Sequence, residues 1–315
     1  MISRQGFGKL AGGALLAGMM ANIRSLQLFG GQEQEAMKKR ALGRTGHQVG
    51  LFSLGGQSVL EESGTEKESV AVINRALDLG VNYIDTAAWY GDGQSERYIG
   101  TVMQSRRSDV FLATKTHDRS YDGSMRYLER SLKNLKTDVI DLWQIHNVRT
   151  DEDLRRMFGE DGAIKALEEA RGEKRVRFLG ITGHYDPLVL KRAIGEYPFD
   201  SILMALNAAD KHSESFIDKL LPAAVEKNMA IVGMKVPARG RIFRKGGVAT
   251  METAMRYVLT LPVSTVIVGI ETIAQLEENV RIARKFSPMS PAEMEATEDL
   301  TREYFADASW FKSSW

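Results

Sequence analysis

Three short apolar runs in this chain end in ionisable residues: Asn82-Tyr83-Ile84-Asp85, Leu112-Ala113-Thr114-Lys115 and Leu142-Trp143-Gln144-Ile145-His146. A tyrosine, Tyr90, follows Asp85 by five residues. Taken singly, each has a plain structural explanation, such as a solvated lysine or a histidine satisfied inside the fold. Brought together they form a connected set. Lys115 beside Asp85 makes an ion pair, and a cation next to Tyr90 favours the phenolate, so the phenol is expected to titrate below its usual value of about 10. A phenol tuned in this way can donate a proton to a carbonyl oxygen while hydride reaches the carbon, with His146 orienting that oxygen. The reverse reaction uses the same group as a base.

The elements that must position these residues are legible in the alternation of apolar runs with segments of helical period. Strands are expected at Val49–Leu54, Val81–Asp85, Val110–Lys115, Val139–His146, Phe178–Thr182, Ser201–Leu206, Ala230–Met234 and Ser264–Val268. Helices are expected between and after them, at Lys67–Leu79, Ser95–Gln104, Tyr121–Leu135, Ile164–Arg171, Leu188–Gly195, Ser215–Lys227, Met251–Leu259 and Ile273–Lys285. Sustained alternation of this kind predicts an α/β protein with a parallel sheet. Leu54-Gly55-Gly56-Gln57 lacks the third glycine of a dinucleotide-binding turn, which disfavours a doubly wound sheet and leaves a (β/α)8 TIM barrel. In such a barrel, residues at the ends of strands share one rim, which is where Asp85, Lys115 and His146 fall. The turn Leu42-Gly43-Arg44-Thr45-Gly46 is expected to close the barrel bottom as a hairpin. No boundary for a second domain is visible over residues 39–315, and the C-terminal tail is expected to add a helix at Ala292–Phe305 followed by packed aromatics, Trp310, Phe311 and Trp315.

Composition narrows the chemistry further. Forty-two Lys and Arg against 41 Asp and Glu leave no field for nucleic acid or an anionic membrane, so a small, roughly neutral molecule fits better, which the proton-donor chemistry above makes a small-molecule carbonyl substrate. With no Cys and only five His, none of them a close pair, thiolate and zinc chemistry are disfavoured. Ahead of the barrel, residues 1–38 read as a signal-like segment and linker: Ser3-Arg4-Gln5-Gly6-Phe7-Gly8-Lys9 precedes an apolar run from Leu10 to Met20, too short to span a bilayer. It resembles a twin-arginine export signal, with Gln5 at the second arginine, and implies a periplasmic or cell-envelope protein; the alternative is a frayed N-terminal segment of a cytoplasmic one.

The segment Asn82-Tyr83-Ile84-Asp85-Thr86-Ala87-Ala88-Trp89-Tyr90-Gly91, with Glu96 and Gly100 after it, resembles the signature of the aldo-keto reductase family, and Lys115 and His146 stand at that family's other two catalytic positions. The resemblance, which runs from about Lys39 to Lys285, implies NADPH or NADH as cofactor. On the cofactor side the chain departs from the family: Thr182-Gly183-His184 replaces the usual Ser-Asn, Leu203 the usual Gln with Asn207 as a compensating polar group, and Met234 the usual stacked aromatic. By the same resemblance, Lys235 would meet the pyrophosphate, and Gly269, Gln275, Glu278 and Asn279 the adenosine phosphate. Glu271 in that last segment favours NADH, whereas Arg239, Arg241, Arg244 and Lys245, in the loop expected over the cofactor, favour NADPH. Two further readings of the same site stay open: a sugar-modifying enzyme whose cofactor cycles in place, and a non-catalytic nucleotide sensor. The residues do not determine oligomeric state.

Overall fold

In the computed structural model the described residues are 35–314, and from Met37 onward the chain is one compact unit. The expected signal segment and Trp315 lie outside the described residues. The unit opens on a hairpin, β1 (Lys39–Ala41) paired antiparallel with β2 (Gln48–Gly50). A closed barrel follows, made of β3 (Phe52–Ser58), β4 (Tyr83–Asp85), β5 (Phe111–Thr116), β6 (Ile140–Ile145), β7 (Val176–Gly183), β8 (Ser201–Ala205), β9 (Ala230–Met234) and β10 (Thr265–Ile270). Every barrel pairing is parallel, and β10 returns to β3 with Val266 opposite Phe52.

Helices α1 (Glu66–Asp78), α2 (Gln94–Arg106), α3 (Tyr121–Leu135), α4 (Asp151–Phe158), α5 (Ala163–Gly172), α6 (Pro187–Glu196), α7 (Phe216–Lys219), α8 (Leu221–Glu226), α9 (Met251–Thr260) and α10 (Ile273–Arg284) lie between or after the strands. Alternation of apolar residues along parallel strands then makes two cores. One lies inside the barrel around Leu42, Tyr83, Phe111, Leu142, Leu203 and Val232, and the larger one fills the layer between strands and helices. Leu42 is fully buried in the inner core, so the hairpin does close the bottom.

Four expectations are corrected. The strand expected at Val49–Leu54 is two: Val49 pairs antiparallel with Arg40, whereas Phe52 begins the barrel, because an uninterrupted apolar run does not reveal a change of partner. The helix expected at Ser215–Lys227 is broken at Leu220 into α7 and α8, since Pro222 has no N–H to continue the ladder. Helix α4 was not expected, although its capping box of Thr150 and Asp153 was there to be read. The tail helix, expected to reach Phe305, is α11 (Pro291–Asp299); the Thr301 hydroxyl and backbone N–H both donate to the carbonyl of Glu298 and tighten the chain into a turn. Short helices α12 (Phe305–Ala308) and α13 (Phe311–Ser314) complete the tail, with Phe311 buried and Lys312 paired with the buried Asp210. Among the described residues no helix is long and apolar enough to cross a membrane.

Candidate active site

The C-terminal ends of the barrel strands open into a cavity of about 1260 Å³. Asp85 closes β4, Lys115 lies in the last turn of pleat of β5, and His146 directly follows β6. Asp85 and Lys115 are each 1% exposed and form an ion pair. Lys115 also donates to the carbonyl of Thr86 at 2.6 Å, and the side-chain amide of Gln144 donates to the second Asp85 oxygen at 2.9 Å. Burial pushes the carboxyl up and the ammonium down, while the pairing opposes both shifts. Such a pair, satisfied on both sides, is held rigidly and carries no net charge.

Strand β3 passes close behind Asp85, and that approach requires Gly56: a Cβ there would sit 2.7–2.9 Å from the Ser95 hydroxyl, the Thr86 hydroxyl and the Asp85 carbonyl. Tyr90 opens a short turn beyond Asp85, with its ring centroid 5.0 Å from Lys115 Nζ and 5.6 Å from the ring of His146, edge to face. All four residues line the cavity. The expected direction of the Tyr90 titration is reversed. Burial first, then the charges of Asp85 and Glu61, push the phenol well above its usual range, and Arg239 opposes them only in part. Tyr90 is therefore protonated at neutral pH. Burial, together with Lys115, His117, His184 and Arg119, pushes His146 well below the usual imidazole range. A neutral ring has a single N–H to offer an oxygen. The Nδ1 atoms of His146 and His117 have no hydrogen-bond partner among the described residues.

Of the residues expected to hold the cofactor, Thr182, Met234, Lys235, Gly269, Gln275, Glu278 and Asn279 line the cavity. Three do not. Gly183 abuts Leu190 and the carbonyl of Val148. Asn207 is buried and spends its amide on the N–H of Ala209 and the carbonyl of Lys235. Arg241 turns outward onto Asp307 and the ring of Trp310. Thr182 is itself committed, its hydroxyl accepting from the N–H of Asn147 at 2.8 Å. Sequence reasoning missed Trp89 and His117, stacked 4.5 Å apart beside His146, and Glu61, which stands 3.8 Å from Arg239 of the expected cofactor loop. His117 follows the same strand-end rule as Lys115, so a signal for it existed.

Three residues other than glycine just at or beyond the ends of cavity-lining strands, Ser58, Asn147 and Lys235, have left-handed φ of 63°, 52° and 63°. Strain of this kind persists where surrounding contacts over-determine the backbone. The cavity also exceeds the roughly 300–1,000 Å³ of an ordinary small-ligand pocket, which leaves room for a dinucleotide beside a small substrate. Its donor set fits that group: basic Lys235 and Arg239 after β9, and the Gly269 backbone and buried Asn279 beside β10.

A closed parallel barrel with these groups at its C-terminal mouth defines an oxidoreductase of the nicotinamide-dependent barrel class. The model of the Aldo/keto reductase family matches residues 48–246, and the chain belongs to that family as an NAD(P)-dependent enzyme. Over 294 residues it is 29% identical to the uncharacterized oxidoreductase YqkF of Bacillus subtilis, covering 78% of this chain and 91% of that one. It is 27% identical over 280 residues to L-galactose dehydrogenase of Arabidopsis thaliana, covering 76% and 86%. Among solved structures, the holo form of aldo-keto reductase AKR11C1 from Bacillus halodurans superposes with a TM-score of 0.72 at 27% identity, covering 84% of this chain and 96% of that one.

Proposed function

We propose that this enzyme reduces a small aldehyde or ketone, and reversibly oxidises the alcohol, with Tyr90 as the proton donor. The observation that carries the reading is the convergence of Tyr90 and His146 on one buried, neutralised Lys115–Asp85 pair at the floor of the cavity. When bound, the nicotinamide supplies or accepts the hydride. The neutral His146 ring donates its N–H to the carbonyl oxygen and fixes that oxygen near the Tyr90 hydroxyl. As negative charge grows on the oxygen, the phenol releases its proton to it, since even a phenol with a raised pKa is a stronger acid than the alcohol being formed. Lys115 lies 5.0 Å from the ring, within reach of the phenolate left behind, and Asp85 with Gln144 holds it in place. For the nucleotide we favour NADH. Arg241 and Arg244 are both turned onto Asp307, so two of the four basic residues that favoured NADPH are engaged elsewhere, while Glu271, its carboxylate accepting from the Gln275 amide, is among the residues that line the cavity.

The full-length chain is to be assayed for NADH and NADPH oxidation with a panel of aldehydes, ketones and sugars, alongside Tyr90→Phe. Removing the donor should lower kcat by about 10²- to 10⁴-fold while nucleotide affinity is kept. Equal turnover by both proteins would remove Tyr90 from the chemistry.

A further inference from the structure

The loop after β5 brings Asp118 and Arg119 to the cavity, and the loop after β6 with the helix that follows it adds two more arginines, Arg149 and Arg156, and a second acid, Asp153. Both acids are committed. Asp153 accepts from Arg119 Nε at 2.9 Å and from the N–H groups of Arg149 and Thr150, and Asp118 accepts from the backbone and hydroxyl of Ser120 at 2.8 and 2.7 Å. Arg119 is likewise spent, its remaining nitrogens donating to the carbonyls of His117, His146 and Asn147. Arg149 and Arg156 are left, and neither forms an ion pair among the described residues. The Arg149 guanidinium lies 4.7 Å over the ring of Tyr185, a stack that fixes its planar fork without neutralising it.

Position separates these two arginines from the nucleotide. In the strand order, β6 lies four places from β10 in a barrel of eight, so the arginines face the cavity from the wall opposite Gly269, Gln275 and Asn279. Arg149 stands instead near His146, the residue that would hold the carbonyl oxygen. Arg149 is three residues beyond His146, and three residues of chain reach about 10 Å at most. We propose that Arg149 and Arg156 form a subsite for an oxyanion, a carboxylate or phosphate, carried by the carbonyl substrate itself. The proposal rests on the carbonyl-reductase reading above and narrows its substrate class to compounds that bear a negative charge a few bonds from the carbonyl. Arg149 supplies the oriented bidentate contact, and the exposed Arg156 adds a screened charge at the mouth.

Two matched pairs of probes test it on the full-length chain with saturating nucleotide: 4-carboxybenzaldehyde against its methyl ester, and glyceraldehyde 3-phosphate against glyceraldehyde. The charged member of at least one pair should be favoured in kcat/KM by about tenfold or more, chiefly through KM, and which pair shows the preference tells carboxylate from phosphate. In Arg149→Gln that ratio should fall toward one, and Arg149→Lys should restore only part of it. Ratios near one for both pairs in the wild type, or a ratio unchanged in Arg149→Gln, overturn the subsite. If no carbonyl compound is turned over, the reductase reading fails by itself. Calorimetric binding of 4-carboxybenzaldehyde and its ester to the nucleotide-loaded protein then decides the subsite: acid-selective binding lost in Arg149→Gln supports it, and equal affinities overturn it.

Discussion

Tyr90 shows how far a residue's chemistry depends on its exact surroundings. Its type and its distance from Asp85 are legible in the chain, and the strand-end rule puts Lys115 and His146 near it. The direction of its titration is not legible, because that turns on how deeply the fold buries the phenol and on how near it brings Asp85 and Glu61. The cofactor residues divide for a similar reason. Met234 and Asn279 line the cavity, whereas Asn207 and Arg241 have polar groups of equal promise that local partners claim first. Glu271 yields a prediction at this scale. A carboxylate on the wall beside β10 repels a 2′-phosphate, so NADH should bind more tightly than NADPH. Glu271→Gln should narrow the difference by about fivefold, the size of one partly screened charge pair. Fluorescence titration of each nucleotide measures it, and identical ratios in both proteins would take Glu271 out of the selection.

Among the elements, the barrel strands were the most readable, since parallel strands buried on both faces are continuous apolar runs with ionisable residues where they emerge. Helix ends and helix contacts were less so. Gly100 is an example: it lies on α2 where that helix meets α3, and a Cβ there would sit 2.0 Å from the carbonyl of Asn134. Gly100→Ala should therefore push the two helices apart and destabilise the protein by about 1–3 kcal/mol, seen as a lower urea midpoint with an unchanged slope. The same helix carries the buried Glu96, which accepts from the hydroxyl of Thr114 one residue before Lys115, so helix displacement reaches the site. Activity in the variant should fall along with stability. A variant as stable as the wild type would mean that α2 and α3 have room the backbone does not reveal.

At the scale of the whole molecule, buried neutral histidines tie stability to pH. Burial pushes His184 down to about 3, and pushes His146 well below its ordinary value. The unfolded chain takes up protons on both as pH falls through about 6.5, while the folded protein does not, so stability is complete above that pH and is lost below it. Each such residue costs about 1.4 kcal/mol per pH unit in the window between its two values. Denaturant unfolding from pH 7 to 4.5 should show the loss, and His184→Gln should flatten it. Parallel pH slopes for the two proteins would mean that His184 is protonated in the folded state. His184 Nδ1 also donates to the Phe311 carbonyl at 3.1 Å, so the same experiment probes the docking of the tail.

The sequence alone determined the class of fold and the rim that carries the candidate site, because periodicity and strand ends are properties of consecutive residues. It also singled out Asp85, Tyr90, Lys115 and His146, since each ends or follows a run that must be buried. Tertiary structure alone decided which polar groups were already paired, and so which remain facing the cavity. Arg119 and Arg149 are indistinguishable as letters, yet one is consumed by Asp153 and three carbonyls while the other is stacked and unpaired. Pairing joins residues distant in the chain, and hydrogen bonds and charges spend themselves on whichever partner the fold brings within about 3 Å.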